Sequence, residues 1–126
     1  MSFARLARAL APAVLLATLA PNAGAADDAT TRLYDHSLRR LHADESVRLA
    51  DRYAGQPVLV VNTASHCGFT RQFRELEAVH QRFKARGLKV AGFPSDDFRQ
   101  EAADEAETAE VCFQNFGVTF DMYAPI

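Results

Sequence analysis

The feature that most constrains this chain is a short apolar run that leads into a cysteine. Residues 58–61 are continuously apolar, Asn62 begins a stretch of small polar residues, and Cys67 follows with Gly68 after it. We interpret residues 58–62 as a strand covered on both faces, because buried parallel strands are continuously apolar. The thiol would then lie at the carboxyl end of a strand and face a helix N-terminus, whose partial positive charge favours a thiolate. Cys67 is therefore predicted to be a reactive cysteine.

The residues after Cys67 predict a βαβ unit. A helix is expected over residues 71–86, and Gly87 supplies its end. Its apolar face would consist of Phe73, Leu76, Val79 or His80, and Phe83. Residues 88–93 predict a second strand that Pro94 closes, and such a connection joins parallel strands. The predicted fold class is α/β.

Weaker patterns lie on either side of this unit. Residues 33–41 suit an edge hairpin, and residues 49–53 suit a short turn before the first central strand. A second helix is expected over residues 99–115, and residues 118–120 would begin a third strand. The acidic residues between 101 and 110 are interpreted as a solvated helix start that complements the helix dipole.

The first 25 residues have the layout of a secretory signal peptide. Arg5 and Arg8 precede an apolar run over residues 9–20 and the small residues Ala23-Gly24-Ala25. The alternative, a membrane anchor, is disfavoured because the run is too short to span a bilayer. We therefore expect export to the periplasm or the medium, one domain over residues 26–126, and no membrane association after cleavage.

Charge and cysteine content narrow the function classes. Removing residues 1–25 takes away two arginines and no acid, so the net charge goes from −2 to −4. An acidic surface argues against a nucleic-acid partner. The two cysteines, Cys67 and Cys112, are too far apart in sequence for a Cys-x-x-Cys motif. Two cysteines and four scattered histidines also lack the ligand spacing that is typical of a zinc site. In an oxidising compartment the two cysteines are a structural disulfide or a redox pair.

Residues 62–70, Asn-Thr-Ala-Ser-His-Cys-Gly-Phe-Thr, resemble the peroxidatic-cysteine motif of the glutathione peroxidase family. Further segments match in the family's order: Leu76-Glu-Ala, Phe83-Lys-Ala-Arg-Gly-Leu, Gly92-Phe-Pro-Ser, Phe98-Arg-Gln-Glu101 and Asn115-Phe-Gly-Val-Thr-Phe120. The resemblance implies a thioredoxin-like fold and reduction of hydrogen peroxide or organic hydroperoxides, as part of the response to oxidative stress. It implies no metal and no organic cofactor.

The resemblance also implies roles for the two cysteines. Cys67 would be the peroxidatic residue, and Cys112 would be the resolving cysteine of the non-selenium members that use thioredoxin. A thioredoxin-like dithiol or glutathione would be the reductant. By its own pattern Cys112 is also compatible with a buried core cysteine, since a free cysteine behaves as a small hydrophobe. His66 could tune Cys67, although adjacent side chains on an extended segment point apart.

The departures from the family pattern concern the residues around the peroxidatic cysteine. Asp97 stands at the position of the family's glutamine, and an ionised aspartate accepts hydrogen bonds but donates none. Gln100 lies close to it in sequence. The family's tryptophan and asparagine belong to a C-terminal portion, and this sequence contains no tryptophan; Asp121 replaces the usual proline. We therefore expect a C-terminally truncated member with an incomplete fold. Its alternative function is that of an impaired family member acting as a redox switch or interaction protein.

Overall fold

A small parallel sheet organises the part of the chain that the structure describes. The computed structural model describes residues 32–125; the predicted signal peptide, residues 1–25, lies outside this range. In chain order the elements are β1 (Ser37–Arg39), β2 (Ser46–Arg48), α1 (Leu49–Tyr53), β3 (Val58–Thr63), α2 (Phe73–Phe83), β4 (Lys89–Pro94), α3 (Glu105–Ala109) and β5 (Asp121–Met122). β1 and β2 pair antiparallel, and the other three strands form a sheet in the order β3-β4-β5.

The βαβ prediction is confirmed. β3 and β4 pair in parallel, with Val58 opposite Lys89 and Thr63 opposite Pro94. β5 adds to the other side of β4, also in parallel. Gly92 allows this pairing, because a Cβ atom there would lie 2.3 Å from the sulfur of Met122 on β5. The central strand β4 is consequently better buried than β3.

The prediction that the first strand is covered on both faces is wrong. Leu59 is 37% exposed and Val60 is 62% exposed, although both lie inside β3. Among the described residues β3 is an edge strand that pairs only with β4, so its apolar residues are incompletely covered. A continuous apolar run therefore identified the strand but not its neighbours.

The first predicted helix is confirmed with small changes at its ends. A 3₁₀ turn over Thr70–Gln72 leads into α2, and a second one over Lys84–Arg86 follows it. Gly87 then has φ of 94°, a conformation that favours glycine, and the helix ends there. His80 packs its ring against Phe120 at 6.1 Å between centroids, which supports a structural role for this histidine.

The second predicted helix begins later than the sequence pattern indicates. Residues 99–104 are irregular, and the helix starts only after Asp104, whose carboxylate accepts a hydrogen bond from the Glu107 backbone at 2.8 Å. This N-cap contact sets the start of α3, because it satisfies one of the helix's free N–H groups. After Ala109 the chain continues as a π-helix over Glu110–Asn115.

The flanks of the sheet also differ from expectation. Residues 49–53 form the short helix α1 rather than a turn, and the third strand is Asp121–Met122 rather than residues 118–120. Asp121 is buried and bound by Arg40, Arg52 and Tyr53. Burial alone would raise the pKa of Asp121, but the hydrogen bonds from these residues lower it below its ordinary value. This ionic cluster ties β1 and α1 to the edge of the sheet.

Candidate functional site

Cys67 lies in the turn that connects β3 to α2, at the carboxyl end of the strand. Its carbonyl oxygen accepts hydrogen bonds from the Thr70 backbone at 3.0 Å and from the Thr70 hydroxyl at 2.7 Å. The same hydroxyl lies 2.8 Å from the carbonyl oxygen of Ala64. These contacts start the 3₁₀ turn that precedes α2, so Cys67 faces the N-terminal end of the helical segment, as the sequence predicted.

The Cys67 sulfur has one hydrogen-bond donor close to it. The Phe69 backbone N–H points at the sulfur across 3.5 Å. The side chain is partly exposed, so a small reactant can reach it. The Phe69 N–H is placed to donate a hydrogen bond to the sulfur.

A small cavity of about 80 Å³ opens at this cysteine. Its walls come from the end of β3, the turn and the first turns of α2: Val61, Asn62, Thr63, Ala64, Cys67, Phe69, Thr70, Gln72, Phe73 and Leu76. A volume of that size holds a few water-sized molecules. The cavity can consequently admit a molecule of a few heavy atoms next to the sulfur.

Cys112 lies in a different environment, inside the π-helix. Its side chain is 1% exposed and packs in a core cluster with Phe73, Val90 and Phe120, among others. Burial, with a contribution from the negative charge of Glu101, raises the pKa of Cys112 to about 12. Both cysteines are free thiols in the structure. Phe73 contributes both to the Cys67 cavity and to the core around Cys112.

Three contacts join the Cys67 turn to the segment that leads to Cys112. The His66 backbone donates to the carbonyl oxygen of Gln100 at 2.8 Å. The Ser65 hydroxyl donates to the carboxylate of Glu101. The His66 side chain lies 3.0 Å from the carboxylate of Glu107 on α3. These contacts hold the Cys67 turn against residues 100–107, which precede Cys112 in the chain.

Asp97 does not contribute to the Cys67 cavity. It is exposed, its carboxylate accepts a hydrogen bond from the Ser95 hydroxyl at 2.8 Å, and its backbone N–H points back at the same hydroxyl. Gln100 contributes its backbone carbonyl to the turn and is also absent from the cavity lining. The structure therefore brings neither side chain of this loop to the cysteine.

Two further searches cover the described residues. Over residues 32–125, no group of three or more histidine, cysteine or acidic side chains could hold a metal ion. No helix within the same range has the length and apolar character needed to cross a membrane.

A family model described as glutathione peroxidase matches residues 33–126. That match covers most of the sequence and includes both cysteines. The chain belongs to the glutathione peroxidase family.

Individual relatives agree with the family match. The glutathione peroxidase of Lactococcus lactis subsp. cremoris is 45% identical over 94 residues, which are 74% of this chain and 59% of that protein. The glutathione peroxidase-like peroxiredoxin gpx1 of Schizosaccharomyces pombe is 51% identical over 73 residues, which are 57% and 46% of the two chains. The chain thus spans about half the length of these curated relatives.

Solved structures establish the fold. The crystal structure of Trgpx in apo form is 35% identical, with a TM-score of 0.51 over 74% of this chain and 52% of that one. A putative thiol:disulfide interchange protein DsbE from Chlorobium tepidum has a TM-score of 0.55 at 21% identity, over 71% and 57% of the two chains, and supports the fold alone. The α/β fold of this glutathione peroxidase family member is thioredoxin-like, as the resemblance implied.

Sequence reasoning missed Ser65 and Glu101 as parts of the site. Glu101 belongs to the acidic stretch that was interpreted as solvated, and this interpretation is wrong for it, since its carboxylate binds Ser65 and Thr108. One signal in the sequence pointed to Glu101, namely the segment Phe98-Arg-Gln-Glu101 that matches the family. Helical periodicity could not reveal the irregular backbone there, where Arg99 has a positive φ.

Proposed function

We propose that this member of the glutathione peroxidase family is a thiol peroxidase whose nucleophile is Cys67. One observation carries the proposal: a partly exposed cysteine lies in a small cavity with a backbone N–H directed at its sulfur. The position of Cys67 in the family motif supports the same role. The chain's match to only about half of its relatives' length makes the activity a matter for experiment.

In the first step the Cys67 thiolate attacks one oxygen of the peroxide. An S–O bond forms as the O–O bond breaks, the sulfur is oxidised to a sulfenic acid, and the leaving oxygen takes a proton to become water or an alcohol. The Phe69 N–H lies 3.5 Å from the sulfur that makes this attack and can donate a hydrogen bond to it. Asp97 supplies no hydrogen-bond donor to this step, because its side chain is exposed and bound to Ser95.

In the second step Cys112 condenses with the sulfenic acid to form an intramolecular disulfide. Cys112 has to leave the core for this reaction, since its buried thiol resists ionisation. The π-helix over Glu110–Asn115 is the segment that would open. π-Helical turns are rare, poorly stabilised and frequent at functional sites, which supports this assignment.

Two external thiol groups, from one dithiol or from two molecules of glutathione, then reduce the disulfide, restore both cysteines and become a disulfide themselves. We infer that the reductant is a thioredoxin-like dithiol or glutathione, and that the oxidant is hydrogen peroxide or an organic hydroperoxide. Two relatives are named glutathione peroxidase and glutathione peroxidase-like peroxiredoxin, which supports glutathione as the first reductant to be tested.

The test is peroxide consumption by the wild type, by Cys67→Ser and by Cys112→Ser, each with glutathione and with a thioredoxin system. We expect Cys67→Ser to lose turnover with both reductants. Cys112→Ser should consume one equivalent of peroxide and then stop when thioredoxin is the reductant. Equal rates for the wild type and Cys67→Ser would refute the proposal.

A second candidate function is a redox switch that reacts once and is reset slowly. The exposed position of Asp97 and the deep burial of Cys112 favour it, because both features slow a catalytic cycle. Mass spectrometry after one equivalent of peroxide distinguishes the two functions. A peroxidase forms its disulfide within seconds, and added reductant returns it to the dithiol form for further turnovers. A redox switch also forms the disulfide but stays oxidised for much longer after the reductant is added.

The proposal extends to location and physiology. The layout of residues 1–25 supports export to the periplasm or the medium, where an extracytoplasmic peroxidase would respond to oxidative stress. Cell fractionation of the full chain tests the location. Peroxide sensitivity of a deletion strain, measured with and without a Cys67→Ser copy, tests the physiological role.

A further inference from the structure

The carboxylate of Glu101 lies at the junction between the two cysteine-bearing segments. Its Oε1 accepts hydrogen bonds from the Ser65 hydroxyl, from the Thr108 hydroxyl at 3.0 Å and from the Ala102 backbone at 2.8 Å. Thr108 is fully buried and Ser65 nearly so. One oxygen atom therefore gathers donors from the Cys67 turn, from its own loop and from α3.

The positions of these donors relate Glu101 to both thiols. Ser65 precedes Cys67 by two residues, and Thr108 precedes Cys112 by four, which is about one helical turn on the same side. The neighbouring contact between His66 and Gln100 strengthens the same junction. No other carboxylate in the described range bonds to side chains of both segments.

The second oxygen of Glu101 is unusual. Oε2 is buried and has no hydrogen-bond partner among the described residues. A buried acceptor without a donor destabilises the folded state. The unpaired oxygen shows that Glu101 is not the best choice for the stability of its own loop. The three donors on Oε1 instead indicate that Glu101 holds the Cys67 turn and α3 together.

We propose that Glu101 is a positioning residue for disulfide formation between Cys67 and Cys112. While the π-helix opens to release Cys112, Glu101 keeps the preceding turn at Thr108 attached to the Cys67 turn. The released thiol then searches a small volume around Cys67, and such a restraint raises the rate of an intramolecular reaction. This inference rests on the proposed function insofar as the disulfide forms from a sulfenic acid at Cys67.

The step that Glu101 assists is balanced without a further reactant. The Cys112 sulfur attacks the Cys67 sulfur, the S–S bond forms and the S–O bond of the sulfenic acid breaks. The thiol proton of Cys112 joins the departing hydroxide, and water leaves. Glu101 itself neither gains nor loses a proton in this account.

Three variants test the inference in the full chain. Glu101→Ala removes all the hydrogen bonds to Oε1, whereas Glu101→Gln keeps one carbonyl oxygen for the same donors. Glu110→Gln is the matched control, because Glu110 is an exposed acid on the π-helix itself. Circular dichroism and a thermal melt establish that each variant is folded.

In the first assay a dimedone-type probe traps the sulfenic acid at Cys67, and mass spectrometry follows the disulfide over time. We expect Glu101→Ala to change sulfenate formation by less than about twofold and to slow disulfide formation about tenfold, as loss of hydrogen bonds to a charged group predicts. Glu101→Gln should recover most of the rate, and Glu110→Gln should equal the wild type.

The second assay needs no peroxide and separates this inference from the proposed function. An aromatic disulfide reacts with Cys67 to give a mixed disulfide and one aromatic thiol. Attack by Cys112 then forms the Cys67–Cys112 bond and releases a second aromatic thiol, which absorbs visible light. The second release should be about tenfold slower in Glu101→Ala, since the same positioned attack is measured.

The outcomes decide between the two proposals. If Cys67 does not react with peroxide, the peroxidase proposal is refuted. The positioning role is still supported in that case if the second aromatic thiol is released at a normal rate by the wild type and more slowly by Glu101→Ala. An unchanged or faster second step in Glu101→Ala overturns the positioning role, as does a Glu101→Gln variant as slow as Glu101→Ala. If Glu101→Ala does not fold, Ser65→Ala and Thr108→Val, which remove one donor each, replace it under the same criteria.

Discussion

The regions around Cys67 and Cys112 place the same functional group under opposite conditions. Cys67 lies in an open turn beside a backbone N–H, at the mouth of a small cavity. Cys112 lies in the hydrophobic core, where burial keeps its thiol protonated. Phe73 forms part of the wall of both regions. This difference is what the proposed function requires, since in that proposal Cys67 meets the oxidant and Cys112 reacts only in the second step.

The two thiols differ in their surroundings although the segments that carry them are in contact. The core isolates Cys112 from solvent, while the contacts of Ser65 and His66 with residues 100–107 keep its segment next to Cys67. In the proposed cycle, reaction between the two thiols requires local opening of the six-residue π-helix and not unfolding of the whole chain.

Alkylation should reveal the largest difference between the two regions. Raising the pKa of Cys112 from about 9 to about 12 lowers its thiolate fraction about a thousandfold, and burial adds a steric block. We expect iodoacetamide at neutral pH to label Cys67 while Cys112 stays unmodified on the same time scale, as measured by peptide mass spectrometry. In urea both should react alike. Comparable labelling in the native protein would contradict the comparison.

The burial of the Cys112 thiol should also make stability depend on alkaline pH. Its folded pKa of about 12 lies above the ordinary value of about 9 expected in the unfolded chain, so the stabilisation is complete below pH 9 and is lost as pH rises towards 12. Denaturant titrations of the wild type and Cys112→Ala between pH 8 and 11 should therefore converge as pH rises. Parallel curves would show that Cys112 does not titrate differently on folding.

Serine substitutions should sharpen the comparison by a smaller amount. Cys112→Ser buries a hydroxyl in the core and should lower the free energy of unfolding by about 1–3 kcal/mol. Cys67→Ser, in a partly exposed turn, should change it by less than about 0.5 kcal/mol. Chemical denaturation at pH 7 measures both. Equal losses would mean that the Cys67 turn is packed as tightly as the core.

Local patterns predicted the elements that position Cys67. The apolar run before Asn62, the helical spacing from Phe73 to Phe83 and Gly87 at the helix end all appear in the structure, since each depends on residues close in sequence. The late start of α3 did not follow from periodicity, because the N-cap contact of Asp104 overrides the alanine pattern before it. The short helix α1 was missed for lack of a repeating apolar face.

The α/β class, the family and the place of Cys67 at the end of a strand all follow from the order of the amino acids, because they depend on local spacing and on a motif of contiguous residues. The surroundings of the two thiols, in contrast, follow from the tertiary structure. It exposed Leu59 and Val60 on an edge strand, turned Asp97 towards Ser95, buried Cys112 and brought Glu101 to Ser65. Each of these outcomes depends on contacts between residues distant in sequence or on an irregular backbone, and hydrophobic periodicity contains neither.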